Sequence, residues 1–260
     1  IMRINGSTVL VGVIGNPVKH SLSPVILNAA FREAKINWVY TAFETPEEKL
    51  ADAIGGIRAL GIAGLSVTMP HKARVCSLLD EISDSAQSLG AVNCIVNDAG
   101  NLKGHNTDGD GFLDAVKHDA GLDVAGKKVL VIGSGGSARS IIYSLGKAEA
   151  REIAVINRTK NKALDALELA GSVGRHVEEN EIPKVVSEAD LVINATPVGM
   201  SDTEGTSSFP LEPNLLTKGQ LAVDLIYYPI STPWMEALRD REVEVHGGLS
   251  MLIFQAAKAF

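Results

Sequence analysis

Short apolar runs alternate with stretches of helical periodicity along almost the whole chain. In the first part of the sequence, strands are predicted over residues 8–14, 38–44 and 62–68. Ser23 followed by Pro24 predicts a helix start, with a cap and then proline at the first helical position. That helix is expected to end near Ala34, and a second one is expected over residues 46–59.

The same alternation continues after a helix predicted over residues 108–120, which we take as the joint between two domains. Between these parts lie short helices after Pro70 and over residues 81–89, and a hairpin turning at Asp98-Ala99-Gly100. Further strands are predicted over residues 127–133, 152–157, 190–196 and 220–226, with helices over 136–147, 159–170 and the C-terminal tail. Apolar interiors are typical of parallel strands covered on both faces. The pattern therefore predicts an α/β fold with mainly parallel sheets.

Composition narrows the class of partner. The 260 residues are 45% hydrophobic and carry a net charge of −7. That charge argues against nucleic acid, which needs a basic surface, and no run approaches the ~20 apolar residues of a membrane span. Two cysteines, Cys76 and Cys94, cannot form a disulfide framework, and the six histidines lack metal-ligand spacing. We expect a cytoplasmic protein that acts on small molecules, without a metal.

A glycine-rich turn between a predicted strand and a predicted helix indicates a dinucleotide site. Gly133, Gly135 and Ala138 follow the pattern G-x-G-x-x-A. The first glycine permits the turn, the second lets a pyrophosphate approach the backbone, and alanine allows close helix–strand packing. The helix N-terminus then offers N–H groups to the phosphates. The alternative is a glycine-rich turn without a ligand.

The end of the next predicted strand bears on the choice of cofactor. NAD sites of this kind place an acidic residue there for the ribose 2′-hydroxyl, but this chain has Asn157 and Arg158, followed by Lys160 and Lys162. A guanidinium can grip a 2′-phosphate. We therefore expect NADP(H), with a solvated basic helix start as the alternative.

Polar clusters follow predicted strands or precede predicted helices in the first part of the chain. They contain Ser21 with Ser23, then Lys72, Asn93 and Asp108. Hydroxyls at a helix N-terminus suit a carboxylate. Taken singly, these residues have ordinary explanations: Ser23 as a helix cap, Lys72 as a surface lysine and Asp108 as an N-cap.

The whole set of motifs resembles the shikimate dehydrogenase family over essentially the full chain. The segments occur in the family's order: SLSP at 21–24, SVTMPHK at 66–72, GAVN at 90–93, NTDGDG at 106–111, GSGGSA at 133–138, NRT at 157–159, NATPVGM at 194–200, DLIYYP at 224–229 and GGLSMLIFQA at 247–256.

This resemblance implies NADP-dependent, reversible reduction of 3-dehydroshikimate to shikimate, with Lys72 and Asp108 as the catalytic pair that also contacts substrate. It implies that the substrate carboxylate is held by Ser21, Ser23 and Tyr227, and the ring hydroxyls by Thr68, Asn93 and Gln255. The implied cofactor residues are Gly133, Ser134, Gly135, Gly136, Ser137, Ala138, Asn157, Arg158, Thr159 and Lys162, with Asp84, Leu225 and Gly248 near the nicotinamide.

The resemblance also implies two α/β domains. We expect a substrate domain of residues 1–108 plus 244–260, a Rossmann-type NADP domain of residues 109–243, and a monomer or homodimer. In this arrangement Lys72 would donate a proton to the ketone oxygen, and Asp108 would favour its protonated form.

One departure concerns substrate choice. The family generally has Asn where this chain has Ser66, whose side chain is shorter and lacks the amide. A quinate/shikimate dehydrogenase of broader substrate use is therefore an alternative. A non-catalytic NADP sensor would not need Lys72 with Asp108, and a folate dehydrogenase would not be expected to carry the SLSP and NTDGDG segments.

Overall fold

The computed structural model describes residues 4–200 and 209–260. These residues form two compact units. The first contains the described residues up to Thr107 together with Ala256–Phe260, and the second contains those of Asp108–Gln255. The boundary after Thr107 lies one residue before the predicted one. The chain returns to the first unit at residue 256, whereas the sequence analysis assigned all of 244–260 to the first domain.

The first unit contains a mixed sheet. Its elements are β1 (Val9–Gly15), α1 (Ser23–Glu33), β2 (Trp38–Glu44), α2 (Leu50–Leu60), β3 (Gly64–Val67), β4 (Glu81–Ile82), α3 (Asp84–Leu89), β5 (Cys94–Asp98) and β6 (Asn101–His105), with 3₁₀ turns at Glu47–Lys49 and Arg74–Leu78. The strand order is β2-β1-β3-β5-β6-β4. Strands β1, β2 and β3 are parallel, whereas β5 runs antiparallel to both neighbours. The predicted hairpin is confirmed, with positive φ at Ala99 and Gly100 in its turn.

Apolar side chains cover both faces of this sheet because β1 alternates between them. Ile14 packs with Leu50, Ile54 and Ile57 of α2 on one face. On the other face, Val11 and Val13 pack in a cluster with side chains of α1 and with Ala256, near the C-terminus. This second cluster explains why the last residues belong to the first unit.

The second unit is built on a parallel sheet. Its elements are α4 (Asp108–Ala120), β7 (Lys128–Ile132), α5 (Gly136–Lys147), β8 (Glu152–Ile156), α6 (Lys160–Leu167), β9 (Gly174–His176), α7 (Ile182–Glu188), β10 (Leu191–Asn194), β11 (Leu221–Asp224), α8 (Pro233–Arg239), β12 (Glu244–Gly247) and α9 (Leu249–Ala259), with 3₁₀ turns at Glu168–Val173, Glu179–Glu181 and Pro213–Leu215. The last residues of α9, from Ala256 onwards, belong to the first unit. Its sheet order is β12-β11-β10-β7-β8-β9, and every pair is parallel.

Counted from β7, this is the doubly wound order 3-2-1-4-5-6, in which ligands bind beyond the carboxyl ends of the strands where the order reverses. That switch point lies between β7 and β10. Two apolar clusters cover the opposite faces of the sheet. The predicted α/β class is confirmed, with a Rossmann-type second unit.

Several elements differ from the expectation. Strands β4, β9 and β12 and helices α7 and α8 were not expected, and the helix expected over residues 159–170 ends as α6 at Leu167 before a 3₁₀ turn. Strand β12 pairs with β11, so it belongs to the second sheet. In the described ranges, no helix combines the length and the apolar character needed to span a bilayer.

Candidate active site

The Lys72 segment of the first unit is a loop tied at several points to its surroundings. The Thr68 N–H donates to the carbonyl of Ile14, and the His71 N–H donates to the carbonyl of Thr68, both at 3.0 Å. His71 is fully buried, and its Nε2 lies 2.7 Å from the Thr45 carbonyl, so Nε2 carries the proton. Lys72 itself is half-buried. The side chain of the predicted proton donor is therefore attached to a backbone segment that hydrogen bonds hold in place.

Asn93 connects this loop to the residue before Asp108. The carbonyl of Lys72 accepts from the N–H of Val92 at 2.8 Å, one residue before Asn93. The Asn93 amide then donates to Thr107 Oγ1 at 3.0 Å and accepts from the Thr107 N–H at 2.8 Å. Val92 and Asn93, which are adjacent in the chain, thus hold the backbone of Lys72 and that of Thr107, directly before Asp108.

The serine pair differs from the sequence prediction in one respect. Ser23 is the first residue of α1 and not its cap; the N-cap is Leu22, which makes no side-chain cap. The Ser21 hydroxyl accepts from the Ser23 N–H at 3.3 Å. Ser23 does not cap because its backbone is already helical, so its hydroxyl is not used for that purpose.

Asp84 lies apart from the other predicted cofactor residues along the chain. It occupies the first turn of α3 in the first unit and is exposed, while Ser83 caps that helix through the N–H of Ala86. The remaining predicted cofactor residues all belong to the second unit.

The glycine turn of the second unit has the geometry that its pattern predicts. Gly133 directly follows β7 with φ of 107°, and a Cβ there would lie 3.0 Å from the carbonyl oxygen of Ala195. Ala138 is fully buried, whereas Gly135, Gly136 and Ser137 are exposed, and Ser134 is half-buried. A Cβ at Gly135 or Gly136 would meet open space, so a ligand can approach the backbone there.

Helix α5 begins at Gly136 and has no acidic residue in its first turn. Its free N–H groups and positive dipole end therefore suit a phosphate. The turn lies where β7 and β10 end, at the switch point of the sheet. The residues present fit a dinucleotide pyrophosphate.

The basic residues after β8 have different surroundings. Lys160 Nζ lies 2.6 Å from a carboxylate oxygen of Glu178, and this ammonium holds the pKa of Glu178 below its usual range. Arg158 and Lys162 are exposed and form no ion pair within the described residues. Asn157 donates to the carbonyl of Thr159 at 3.0 Å, which shapes the turn between β8 and α6. Arg158 is thus available to a phosphate, whereas Lys160 is already paired.

The predicted nicotinamide-side residues of the second unit lie against one another. The Gly248 N–H donates to the carbonyl of Ile226 at 3.0 Å, and a Cβ at Gly248 would collide with the backbone of Leu225. Tyr227 and Gly248 also line an open cavity of about 480 Å³, together with Ile230, Arg239, His246 and Ser250. Gly248 is therefore required by backbone packing.

Sequence reasoning assigned no role to a buried polar network behind these residues. Asp224 accepts from Asn194 Nδ2 at 2.9 Å, from the N–H of Ile226 at 3.2 Å and from Thr232 Oγ1 at 2.7 Å. Burial raises the pKa of Asp224 despite these bonds. The network joins the segment after β10 to the segment after β11. In the sequence, this network is indicated only by the polar residues that begin the NATPVGM and DLIYYP segments, Asn194 and Asp224.

Asp108 and Gln255 lie on two helices that pack closely. Asp108 is buried at the start of α4. One turn later, a Cβ at Gly111 would lie 2.6 Å from the backbone nitrogen of Gln255 in α9. Gly109 similarly leaves room for Ser144 of α5. The glycines of the NTDGDG segment thus allow α4 to approach both neighbouring helices.

No group of three or more His, Cys, Asp or Glu side chains arranged to hold a metal occurs in residues 4–200 and 209–260.

Comparison with known proteins identifies relatives of the chain. A family described as "Shikimate dehydrogenase substrate binding domain" matches residues 13–95, and one described as "Shikimate / quinate 5-dehydrogenase" matches residues 114–201. Shikimate dehydrogenase (NADP(+)) of Thermococcus kodakarensis is 41% identical over 98% of this chain and 91% of its own length.

Solved structures agree with this result. Shikimate 5-dehydrogenase from Listeria monocytogenes in complex with shikimate and NAD has a TM-score of 0.92 at 35% identity, covering 99% of this chain and 92% of its own. The enzyme from Thermus thermophilus in complex with NADP(H) and shikimate has a TM-score of 0.87 at 35% identity, covering 97% and 92%.

Proposed function

Because the chain belongs to the shikimate dehydrogenase family, we propose that it catalyses the reversible, NADP-dependent reduction of 3-dehydroshikimate to shikimate. The observation that carries this proposal is the co-occurrence of two features in a chain whose relatives are these enzymes. One is the glycine turn followed by the exposed Arg158; the other is the tied loop that carries Lys72. A sensor that only binds NADP would not need the second feature.

Lys72 is the proposed proton donor. When bound, NADPH would supply a hydride to the carbonyl carbon, and the negative charge that develops on the carbonyl oxygen would require a proton donor. The Lys72 ammonium gives its proton to that oxygen during reduction, and the neutral amine takes it back during oxidation. Asp108 is the second member of the proposed catalytic pair, and the Asn93–Thr107 bonds fix the backbone just before it.

The substrate and cofactor roles divide between the units in this proposal. Ser21, Ser23 and Thr68 bind shikimate from the first unit. The glycine turn and Arg158 of the second unit would hold NADP(H), with the Arg158 guanidinium as the partner of the 2′-phosphate. Tyr227, Gln255, Asn157, Thr159, Lys162, Asp84, Leu225 and Gly248 keep the roles that the family resemblance implies.

The reaction is tested by following NADPH absorbance with purified protein, first with shikimate and NADP⁺ and then with quinate and with NAD⁺. We expect oxidation of shikimate with NADP⁺. Quinate is the second candidate substrate, because Ser66 is shorter than the family's usual asparagine and one matching family description includes quinate. Absence of turnover with both acids would overturn the enzymatic assignment.

Lys72→Ala should lower kcat by at least ~10²-fold, the usual contribution of a positioned proton donor, with the KM for shikimate little changed. The surface variant Lys184→Ala on α7 is the control and should retain wild-type turnover. Thermal unfolding of both variants checks that they fold. A Lys72→Ala enzyme with near wild-type kcat would remove this residue from the mechanism.

The cytoplasmic location and the monomeric or homodimeric state stay predictions. Light scattering on the purified protein measures the second.

A further inference from the structure

Tyr40 on β2 is buried, and its hydroxyl has no role in the mechanism above. The ring belongs to the cluster beneath α1, with Val11, Val13 and Leu27. Only 5% of the residue is exposed, and its Oη has no hydrogen-bond partner within the described residues. A buried hydroxyl without a partner is costly, so this group requires an explanation.

The register of the first sheet places Tyr40 and Ser66 on the same face, because β1 pairs Val11 with Tyr40 and Val13 with Ser66. Burial raises the pKa of Tyr40 far above its usual value, and the nearby hydroxyls of Ser66 and Ser23 act in the opposite direction without satisfying hydrogen-bond geometry to Oη. The phenol is therefore protonated at any working pH, and its proton is available for donation. Of the two serines, Ser66 lies on β3 in the same sheet as Tyr40, whereas Ser23 is the first residue of α1.

The backbone of Tyr40 is fixed against the start of α1. The Asn28 side chain accepts from the Tyr40 N–H at 2.9 Å and donates to the Tyr40 carbonyl at 2.8 Å. The same amide nitrogen lies 2.7 Å from the Pro24 carbonyl, next to Ser23. These bonds set the position of β2 relative to the turn that carries the serine pair.

We propose that Tyr40 is a positioning residue for substrate binding: when the acid binds, the Tyr40 hydroxyl donates a hydrogen bond to Ser66 and thereby turns the serine proton towards the bound acid. This inference rests on the proposed function. A serine hydroxyl rotates freely, and a donor behind its oxygen leaves the serine proton to point elsewhere. Linked hydroxyls also strengthen one another. Tyr40 thus acts through Ser66.

Tyr40→Phe tests this inference because it removes the hydroxyl and keeps the ring. We expect the KM for shikimate to rise roughly 2- to 10-fold, the size expected for one hydrogen bond, with kcat and the KM for NADP⁺ unchanged. The thermal midpoint should stay equal or rise, because a buried hydroxyl without a partner is removed. Tyr143→Phe on α5 is the matched control and should leave all four quantities unchanged.

The double variant Tyr40→Phe/Ser66→Ala separates positioning from direct or purely structural roles. If Tyr40 acts through Ser66, the double variant has the same KM for shikimate as Ser66→Ala alone. Fully additive effects, an unchanged KM in Tyr40→Phe, or a loss confined to the thermal midpoint would each overturn the inference. Wild-type protein that oxidises shikimate keeps the proposed function intact in all three cases. Wild-type protein that is inactive with shikimate would overturn both the Tyr40 inference and the proposed function.

Discussion

Arg158 is the residue on which cofactor choice depends. Its side chain is exposed after β8, whereas the ammonium of Lys160 is 2.6 Å from Glu178. Two cations that looked similar in the sequence are thus different in the fold: one is available and one is paired.

Arg158→Ala should raise the KM for NADP⁺ by about 10- to 100-fold, since charged hydrogen bonds contribute roughly 1.5–3 kcal/mol. The KM for NAD⁺, which has no 2′-phosphate, should change little. Lys160→Ala is the matched control and should have a smaller effect, because its charge already serves Glu178. Steady-state kinetics with both cofactors measure the four values. Equal losses with NADP⁺ and NAD⁺ in Arg158→Ala would refute the 2′-phosphate assignment.

Residues in local motifs were predictable from sequence, and residues joined only by the fold were not. Gly133 and Ala138 serve a turn of six residues, so their spacing carries the information. Ser23 was expected to cap α1, but the helix starts one residue earlier than that role requires. Tyr40 lies two strands away from Ser66 in the sheet. No spacing in the chain reveals that relation.

Among the elements, strands with long apolar runs were predictable. The interior strands β7, β8, β10 and β11 of the second sheet were all expected. The strands that were not expected, β4, β9 and β12, all lie at sheet edges and have two to four residues. An edge strand is partly exposed and short, so it lacks the continuous apolar run by which a central strand is recognised.

The close packing of α4 against α9 at Gly111 leads to a prediction about stability and substrate binding. Gly111→Ala would place a methyl group 2.6 Å from the backbone nitrogen of Gln255, and backbone cannot yield as a flexible side chain does. Overpacking of this kind typically costs about 1–3 kcal/mol, so we expect a lower thermal midpoint and, because α9 must move, a higher KM for shikimate. Gly55→Ala on α2, where a Cβ meets open space, is the control. It should be neutral or stabilising by up to ~1 kcal/mol, and an equal drop in both variants would contradict the packing argument.

At the scale of the whole molecule, carboxylates on both units link stability to acid. Hydrogen bonds lower the pKa of five carboxyls: Asp80, whose donors are the Leu102 N–H and the Arg58 guanidinium, and Asp119, Glu178, Glu181 and Glu188. At Asp119 these bonds outweigh the opposing effect of burial. A lowered folded-state pKa contributes stability above the unfolded value, which is lost as pH falls through the folded-state pKa. Asp224 has a raised pKa, so its contribution to stability has the opposite sign, but it is one carboxyl against five.

We therefore expect the urea midpoint to fall below about pH 4, where unfolded carboxyls begin to bind protons. Asp80→Asn isolates one contributor, because Asp80 Oδ2 lies 2.7 Å from both the Leu102 nitrogen and Arg58 Nη2. The variant should be less stable than wild type at about pH 7 and should approach it at about pH 3, since the Asp80 carboxyl of the unfolded wild-type chain begins to bind protons below about pH 4. Urea unfolding at about pH 7, 5 and 3 measures both proteins. A difference that stays constant with pH would show that ionisation of Asp80 does not contribute to folding stability.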